Sequence, residues 1–213
     1  DNFYSNEQLN TIFNYCSNTE FTPTLQPWKF KDIYASRFEA YPCHESKILD
    51  LCTGENEESN IYKMLWDVLV GLDYRLVDMH TFFRKLYQEE IKKSVCSDGK
   101  GLRHKDSGEH IHIAGVVYLD QAPSFKSGTR LFTYADDFPQ HDCDIQIGSK
   151  FNRAIIYKSQ TSHQALFDLN VKSRFIQTFF LKVEGYDETI TDIQEYEKLM
   201  KKGFVAKRSL NEG

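Results

Sequence analysis

His104 and Asp106 stand two residues apart, with Lys105 between them. In an extended segment residues i and i+2 point to the same side, so an imidazole and a carboxylate spaced this way can share one metal ion. The pattern is weak alone. With seven His in the chain, an H-x-D triplet arises readily by composition, and an exposed loop pair explains it as well. His163 shifts the balance. It follows the apolar segment Ala154-Ile155-Ile156-Tyr157 and precedes the last long apolar run. Two imidazoles and one carboxylate are the facial donor set of non-haem Fe(II), which leaves three coordination positions for other ligands and oxygen.

Arg174 opens that last run, Arg174-Phe175-Ile176-Gln177-Thr178-Phe179-Phe180-Leu181, in which it is the lone charge. A guanidinium in such surroundings needs a partner. One candidate is a surface Asp or Glu at the mouth of a strand. The other is the far carboxylate of a dicarboxylic keto acid, gripped by the planar fork while the keto-acid end chelates the metal. The residues leave both open. Strand alternation sends Thr178 to the same side as Arg174, where its hydroxyl can help hold such a ligand.

The remaining candidates read more simply. His110 and His112 flank Ile111 at the start of a strand, and His112 could face the pocket, but a polar residue satisfied near a strand end is the plainer account. His80 and His141 carry less signal still. Cys143, between Asp142 and Asp144, is a soft donor among hard ones and reads as core. Phe82, Phe83, Phe132, Phe179 and Phe180 are core by type. Trp28, Tyr134 and Phe138 fall in segments that could cover a substrate.

The apolar spacing that must position these residues changes from three-to-four residues to alternation near Tyr74. Ser5 with Gln8 forms a capping-box pattern ahead of Leu9, Ile12 and Phe13. Ser59 is the predicted cap of a second helix burying Ile61, Leu65, Val68, Leu69 and Leu72. Between the helices, Trp28 to Tyr34 alternates like an edge strand, and 52–60 is polar and loop-like. Strands are predicted over 75–88, 111–119, 129–134, 143–147, 151–158 and 174–183, and a C-terminal helix from near Thr191. Helices first and strands later, without βαβ alternation, predict an α+β fold with helices packed outside a β-barrel or jelly roll. One domain is expected over 1–213, with 1–73 as mainly helical support, 74–185 as the barrel and 186–213 as helix and tail.

Composition excludes several classes. A formal charge of −5 and a pI near 5.8 argue against a nucleic-acid binder, which needs clustered cations to displace counterions. The one sizeable basic cluster, Lys198, Lys201, Lys202, Lys207 and Arg208, lies beside Glu195 and Glu197 and reads as a solvated helix face. Five cysteines without a C-x-x-C pair signal neither a disulfide framework nor structural zinc, so a reducing cytoplasm is expected. No apolar run is long enough to span a membrane, and Asp1-Asn2-Phe3-Tyr4 lacks the basic and apolar regions of a signal peptide, so a soluble protein is expected. The acidic surface mildly favours small or cationic substrates.

Taken in order, the motifs form a pattern: His104-Lys105-Asp106, then Ala114-Gly115-Val116-Val117-Tyr118-Leu119-Asp120, Gly128-Thr129, Lys150-Phe151-Asn152-Arg153-Ala154-Ile155-Ile156-Tyr157, His163, and Arg174-Phe175-Ile176-Gln177-Thr178. Over roughly 76–183 this resembles the prolyl-hydroxylase-type Fe(II)/2-oxoglutarate-dependent oxygenases, with a looser likeness to oxygenase-like proteins of phage and marine bacterial genomes. The resemblance implies a double-stranded β-helix, the cupin-like form of the jelly roll. It implies Fe(II) at His104, Asp106 and His163, with 2-oxoglutarate and O2 as co-substrates. Tyr118 and Thr178 would line the 2-oxoglutarate pocket beside Arg174. The activity implied is hydroxylation of a C–H bond in an amino acid, a proline-like peptide or protein side chain, or a small metabolite. Asp106 favours hydroxylation over halogenation, for which related enzymes replace the carboxylate with a small residue. Two rival readings stand beside it: a cupin-like metal enzyme that does not use 2-oxoglutarate and so has no need of Arg174, and a non-catalytic β-barrel binding or virion-associated module.

Overall fold

The computed structural model describes residues 1–24, 42–50, 56–94, 96–106, 111–132 and 145–186. In chain order these form α1 (Asn6–Asn18), β1 (Thr22–Pro23), β2 (His44–Glu45), α2 (Glu57–Gly71), β3 (Leu76–Tyr87), α3 (Gln88–Lys93), β4 (Ile113–Tyr118), β5 (Gly128–Phe132), β6 (Ile145–Gly148), β7 (Arg153–Lys158), β8 (Ser162–Leu166) and β9 (Ser173–Val183). The strands build two antiparallel sheets, a major one ordered β1-β2-β3-β9-β4-β7 and a minor one ordered β6-β5-β8. The predicted segment Trp28–Tyr34, the C-terminal helix, and His110, Tyr134, Phe138, His141 and Cys143 lie outside the described residues.

The major sheet is buried on both faces, which is why β9 reads as a continuous apolar run instead of an alternating one. One face, through Met79, Phe83, Val117, Phe179 and Leu181, packs on α1 and α2 at Leu9, Ile12, Ile61, Leu65 and Leu69. The other face, through Val116, Tyr118 and Ile176, turns toward the minor sheet, and the Tyr118 hydroxyl donates to Thr129 of β5 at 2.9 Å. Gln177, a fully buried amide on the helix side, is satisfied at both ends: it accepts from the Tyr4 hydroxyl at 2.8 Å and donates to Thr81 Oγ1 at 3.0 Å.

Local signals place the helices. Ser5 and Gln8 form the expected capping box, with Gln8 N donating to Ser5 Oγ at 3.2 Å and Ser5 N donating to Gln8 Oε1 at 2.8 Å. The second helix begins earlier than predicted. Asn56 caps it, accepting from Ser59 N at 2.8 Å, while Ser59 sits inside the first turn. Asn reaches the orphan N–H as well as Ser does, and Glu57 and Glu58 then fall where the helix dipole favours acids. Leu72, predicted on the buried face, is the C-cap and is 52% exposed. Among the described residues no helix is long and apolar enough to cross a membrane.

Gly115 of β4 is paired with Phe179 of β9 and leaves room for its ring. A Cβ built there would lie 2.1 Å from Cζ of Phe179, a ring with no exposure. Overpacking a closed core costs about 1–3 kcal/mol or more. Gly115→Ala is therefore expected to lower the thermal unfolding midpoint by several degrees, and an unchanged midpoint in a calorimetric scan would contradict this packing.

Candidate functional site

The segment 101–106 runs antiparallel along the outer edge of β8. Gly101 N donates to Ala165 O at 2.8 Å, and His104 and His163 exchange both backbone hydrogen bonds at 2.9 and 2.8 Å. Asp106 N is fixed to Ser159 O at 2.9 Å. Extended pairing thus brings His104, Asp106 and His163 together. Asp106 Oδ2 lies 3.4 Å from His163 Nε2, Asp106 Oδ1 lies 3.7 Å from His104 Nε2, and the two imidazole centroids are 4.2 Å apart. Among the described residues this is the one group of three or more His, Cys, Asp or Glu whose donor atoms converge, all within 4.8 Å of one another.

The tautomers follow from the partners. Nδ1 of His104 lies 2.9 Å from Leu102 O, and Nδ1 of His163 lies 3.0 Å from Thr161 O. A carbonyl oxygen only accepts, so each Nδ1 carries the hydrogen, and Nε2 is the ring nitrogen left to face Asp106 and to ligate. Burial, reinforced by the facing His163, pulls the His104 imidazole down to about 4. Two imidazole Nε2 atoms and one carboxylate converging on one point suit a divalent first-row metal ion, whose ligands must be deprotonated to bind.

Arg174, on β9, is 1% exposed, and among the described residues its side chain makes one hydrogen bond, from Nη1 to Leu166 O at 3.0 Å. Its guanidinium lies 5.3 Å from the centroid of the Tyr118 ring. Among the described residues no carboxylate pairs with it, and its Nε has no hydrogen-bond partner. The Thr178 hydroxyl, also buried, has none either. Burying a guanidinium without a counter-charge is costly. The surface ion pair that the sequence left open is therefore not what Arg174 makes. Instead Arg174 and Thr178 line the same cavity as His104, Asp106 and His163.

No family model matches the sequence, and no curated protein matches it. Solved structures match through their fold. A prolyl-4-hydroxylase from Pseudomonas putida aligns over 86% of this chain and 90% of its own, with a TM-score of 0.52 and 15% identity. A 2OG-Fe(II) oxygenase family oxidoreductase from Burkholderia pseudomallei aligns over 84% and 81%, with a TM-score of 0.57 and 8% identity. A prolyl hydroxylase from Trichoplax adhaerens, solved in complex with a hypoxia inducible factor oxygen degradation domain peptide fragment, aligns over 86% and 82%, with a TM-score of 0.55 and 14% identity. The chain has the fold of the Fe(II)/2-oxoglutarate oxygenases. The expected α+β double-stranded β-helix is what these neighbours share, and α1 and α2 pack on its outside as expected.

Within this oxygenase fold, Tyr118, which the resemblance set beside Arg174, is fully buried with its ring centroid 5.3 Å from that guanidinium, and its hydroxyl donates to Thr129, which lines the cavity. Burial holds the Tyr118 phenol above its ordinary range against the opposing pull of Arg174 and Thr129. Tyr157 and Arg84 also line the cavity and were not singled out from the sequence. The Tyr157 ring lies 4.8 Å from the His163 ring, and burial followed by the nearby Asp106 pushes its phenol well up, so it remains a neutral donor. His112 stands apart from the centre, bonded to the Val183 backbone and stacked on Tyr186 at 4.5 Å. His80 is half-exposed, 3.6 Å from Asp78.

Asp120, just beyond β4, accepts from Phe175 N at 2.6 Å beside Arg174, yet burial outweighs both and raises its carboxyl to about 6. A carboxyl raised in the folded state favours folding fully below its unfolded value, and that contribution is lost as pH rises through about 6. Asp120→Asn keeps an acceptor for Phe175 N and carries no charge to desolvate. The variant is expected to gain on the wild type between pH 4.5 and 7.5, on the order of 1–3 kcal/mol at about 1.4 kcal/mol per pKa unit. Denaturation midpoints at the two pH values check the sign, and a variant that loses ground at the higher pH contradicts it.

Proposed function

We propose that this protein is an Fe(II)- and 2-oxoglutarate-dependent dioxygenase that hydroxylates a C–H bond. His104, Asp106 and His163 hold the iron, and Arg174 with Thr178 holds the far carboxylate of 2-oxoglutarate. The observation that carries the reading is the buried Arg174, its Nε and the neighbouring Thr178 hydroxyl both unpartnered among the described residues, in one cavity with the triad. When bound, iron with 2-oxoglutarate and O2 supplies the oxidising chemistry, with succinate and CO2 as by-products.

The chain's own residues bind, orient and exclude. The Leu102 and Thr161 carbonyls hold the two imidazoles in the metal-binding tautomer. Asp106 supplies the negative charge that offsets a divalent ion. Tyr118 packs under the guanidinium of Arg174 and, through Thr129, ties β4 to the minor sheet. Val116, Ile176 and Phe180 give the cavity an apolar floor that keeps water from competing for the cation. Tyr157 stays protonated beside His163, and no side chain is assigned as general acid or base. The substrate is a small molecule or a peptide, a range supported by the peptide held by the Trichoplax neighbour.

Anaerobic titration of the protein with Fe(II) and then 2-oxoglutarate tests the reading. A weak visible metal-to-ligand charge-transfer band is the expected result. Metal uptake without a 2-oxoglutarate-dependent band would favour the cupin-like alternative, and no uptake would leave the non-catalytic module.

A further inference from the structure

The cavity holds a second guanidinium, that of Arg84, from a strand whose residues carry no catalytic motif. Arg84 of β3 is paired in register with Ile176 of β9, while Leu86 is paired with Arg174. Arg84 and Arg174 are therefore diagonal neighbours on the face that turns toward the minor sheet. Their side chains diverge. Arg84 lies over the ring of Phe82 at 4.6 Å from its centroid, and Phe82 is paired with Thr178. Stacking on the residue two positions back turns the Arg84 fork along the strand, away from Arg174. It lines the same cavity as His104, Asp106, Tyr157 and His163.

Glu45 of β2 sets this orientation. Its Oε1 accepts from Arg84 Nε at 2.7 Å, and the two side chains are only 19% and 15% exposed. The carboxylate grips the fork through Nε, from the neighbouring strand β2, while Arg84, and not Glu45, lines the cavity. The cavity thus meets an incoming ligand with two arginines, although the chain as a whole is acidic. Arg174 and Thr178 account for one carboxylate. The planar Arg84 fork, which lines the same cavity, is chemistry suited to another.

We propose that Arg84 binds a second carboxylate in the cavity, separate from the one taken by Arg174. Resting on the 2-oxoglutarate reading above, this gives two sources for that carboxylate: the keto-acid end of 2-oxoglutarate, or an acid group on the substrate to be hydroxylated.

Arg84→Met and Glu45→Gln test it together in Fe(II)-loaded protein. Binding is measured anaerobically for 2-oxoglutarate and for 4-oxopentanoate, which keeps the far carboxylate and the ketone and lacks the carboxylate beside the ketone. Succinate release is then followed across a panel of amino acids and short peptides and their C-terminal amides. If the source is the co-substrate, Arg84→Met weakens 2-oxoglutarate by about tenfold or more and leaves 4-oxopentanoate within about twofold. If the source is the substrate, 2-oxoglutarate binds as in wild type, and the variant loses the preference for free acids over amides. Glu45→Gln supplies the readout that a purely structural pair would not give. It removes the competing negative charge, so the carboxylate that Arg84 binds should bind as tightly or more tightly, opposite to Arg84→Met. Equal losses in both variants, or wild-type behaviour of Arg84→Met in both arms, would overturn the proposal. If wild-type protein shows no 2-oxoglutarate-dependent band, the co-substrate reading itself has failed, a result separate from any effect of Arg84.

Discussion

Arg174→Met is expected to remove the absorption band that 2-oxoglutarate induces in the Fe(II)-loaded protein, and at the same time to stabilise the ligand-free protein. The two effects have one origin. Arg174 is 1% exposed, with one hydrogen bond to Leu166 O and no paired carboxylate among the described residues. With ligand present, loss of the fork strands a carboxylate in a closed pocket, an imbalance of about 3–5 kcal/mol. At about 1.4 kcal/mol per tenfold, affinity for 2-oxoglutarate should fall by roughly 100-fold to 4,000-fold. Without ligand, Met fills similar space and needs no partner, and replacing a poorly compensated buried ion by an apolar side chain is neutral or stabilising by about 1–4 kcal/mol. Thermal unfolding with and without 2-oxoglutarate reads both. The wild type should show a ligand-induced rise that the variant lacks, from a higher starting point in the variant. A variant that binds 2-oxoglutarate as wild type does would refute the assignment of Arg174.

Asp106→Ala is expected to abolish Fe(II) binding while leaving the fold intact. Asp106 is the only anion in the donor set, so its loss leaves two neutral imidazoles facing a divalent charge. A loss of even an outer partner of a metal ligand commonly costs about 10- to 100-fold in affinity, and loss of the charged ligand itself should exceed that. The scaffold should persist, because the backbone bond from Asp106 N to Ser159 O and the paired bonds between His104 and His163 do not involve the carboxylate. Metal content after anaerobic loading, read beside circular dichroism of the metal-free protein, separates the two effects. Stoichiometric iron at wild-type affinity in the variant would remove Asp106 from the centre.

Much of the triad's geometry was legible because it depends on alternation alone. H-x-D in an extended segment places both side chains on one side, and the segment 101–106 is extended against β8. Arg174 was legible as the single charge in a run buried on both faces. Tyr157 was not, for the same physical reason: β7 is apolar along most of its length, and nothing in Ala154-Ile155-Ile156-Tyr157 distinguishes the face that meets His163. The strand carrying His163 was missed because Ser162-His163-Gln164-Ala165-Leu166 has no β-branched or large aromatic residue, so pairing with β5 creates the strand where propensity does not. Arg84 was missed because its significance lies in cross-strand register with Ile176, a long-range property. The acidic total pointed toward cationic substrates, but screening confines a surface charge to within about 10 Å, whereas a cavity takes its field from the groups that line it. Here those groups include Arg84 and Arg174.

The rung shared by His104 and His163 bears on how the centre comes into being. Small metal domains fold around their ion and come apart when it is chelated. Here the main chain holds both imidazoles opposite each other through two reciprocal hydrogen bonds, and the wider scaffold rests on the long β3–β9 pairing and a core around Phe83 and Phe179. None of these bonds or packing contacts uses a metal-ligating atom, so chelation is expected to empty the centre without unfolding the sheets around it.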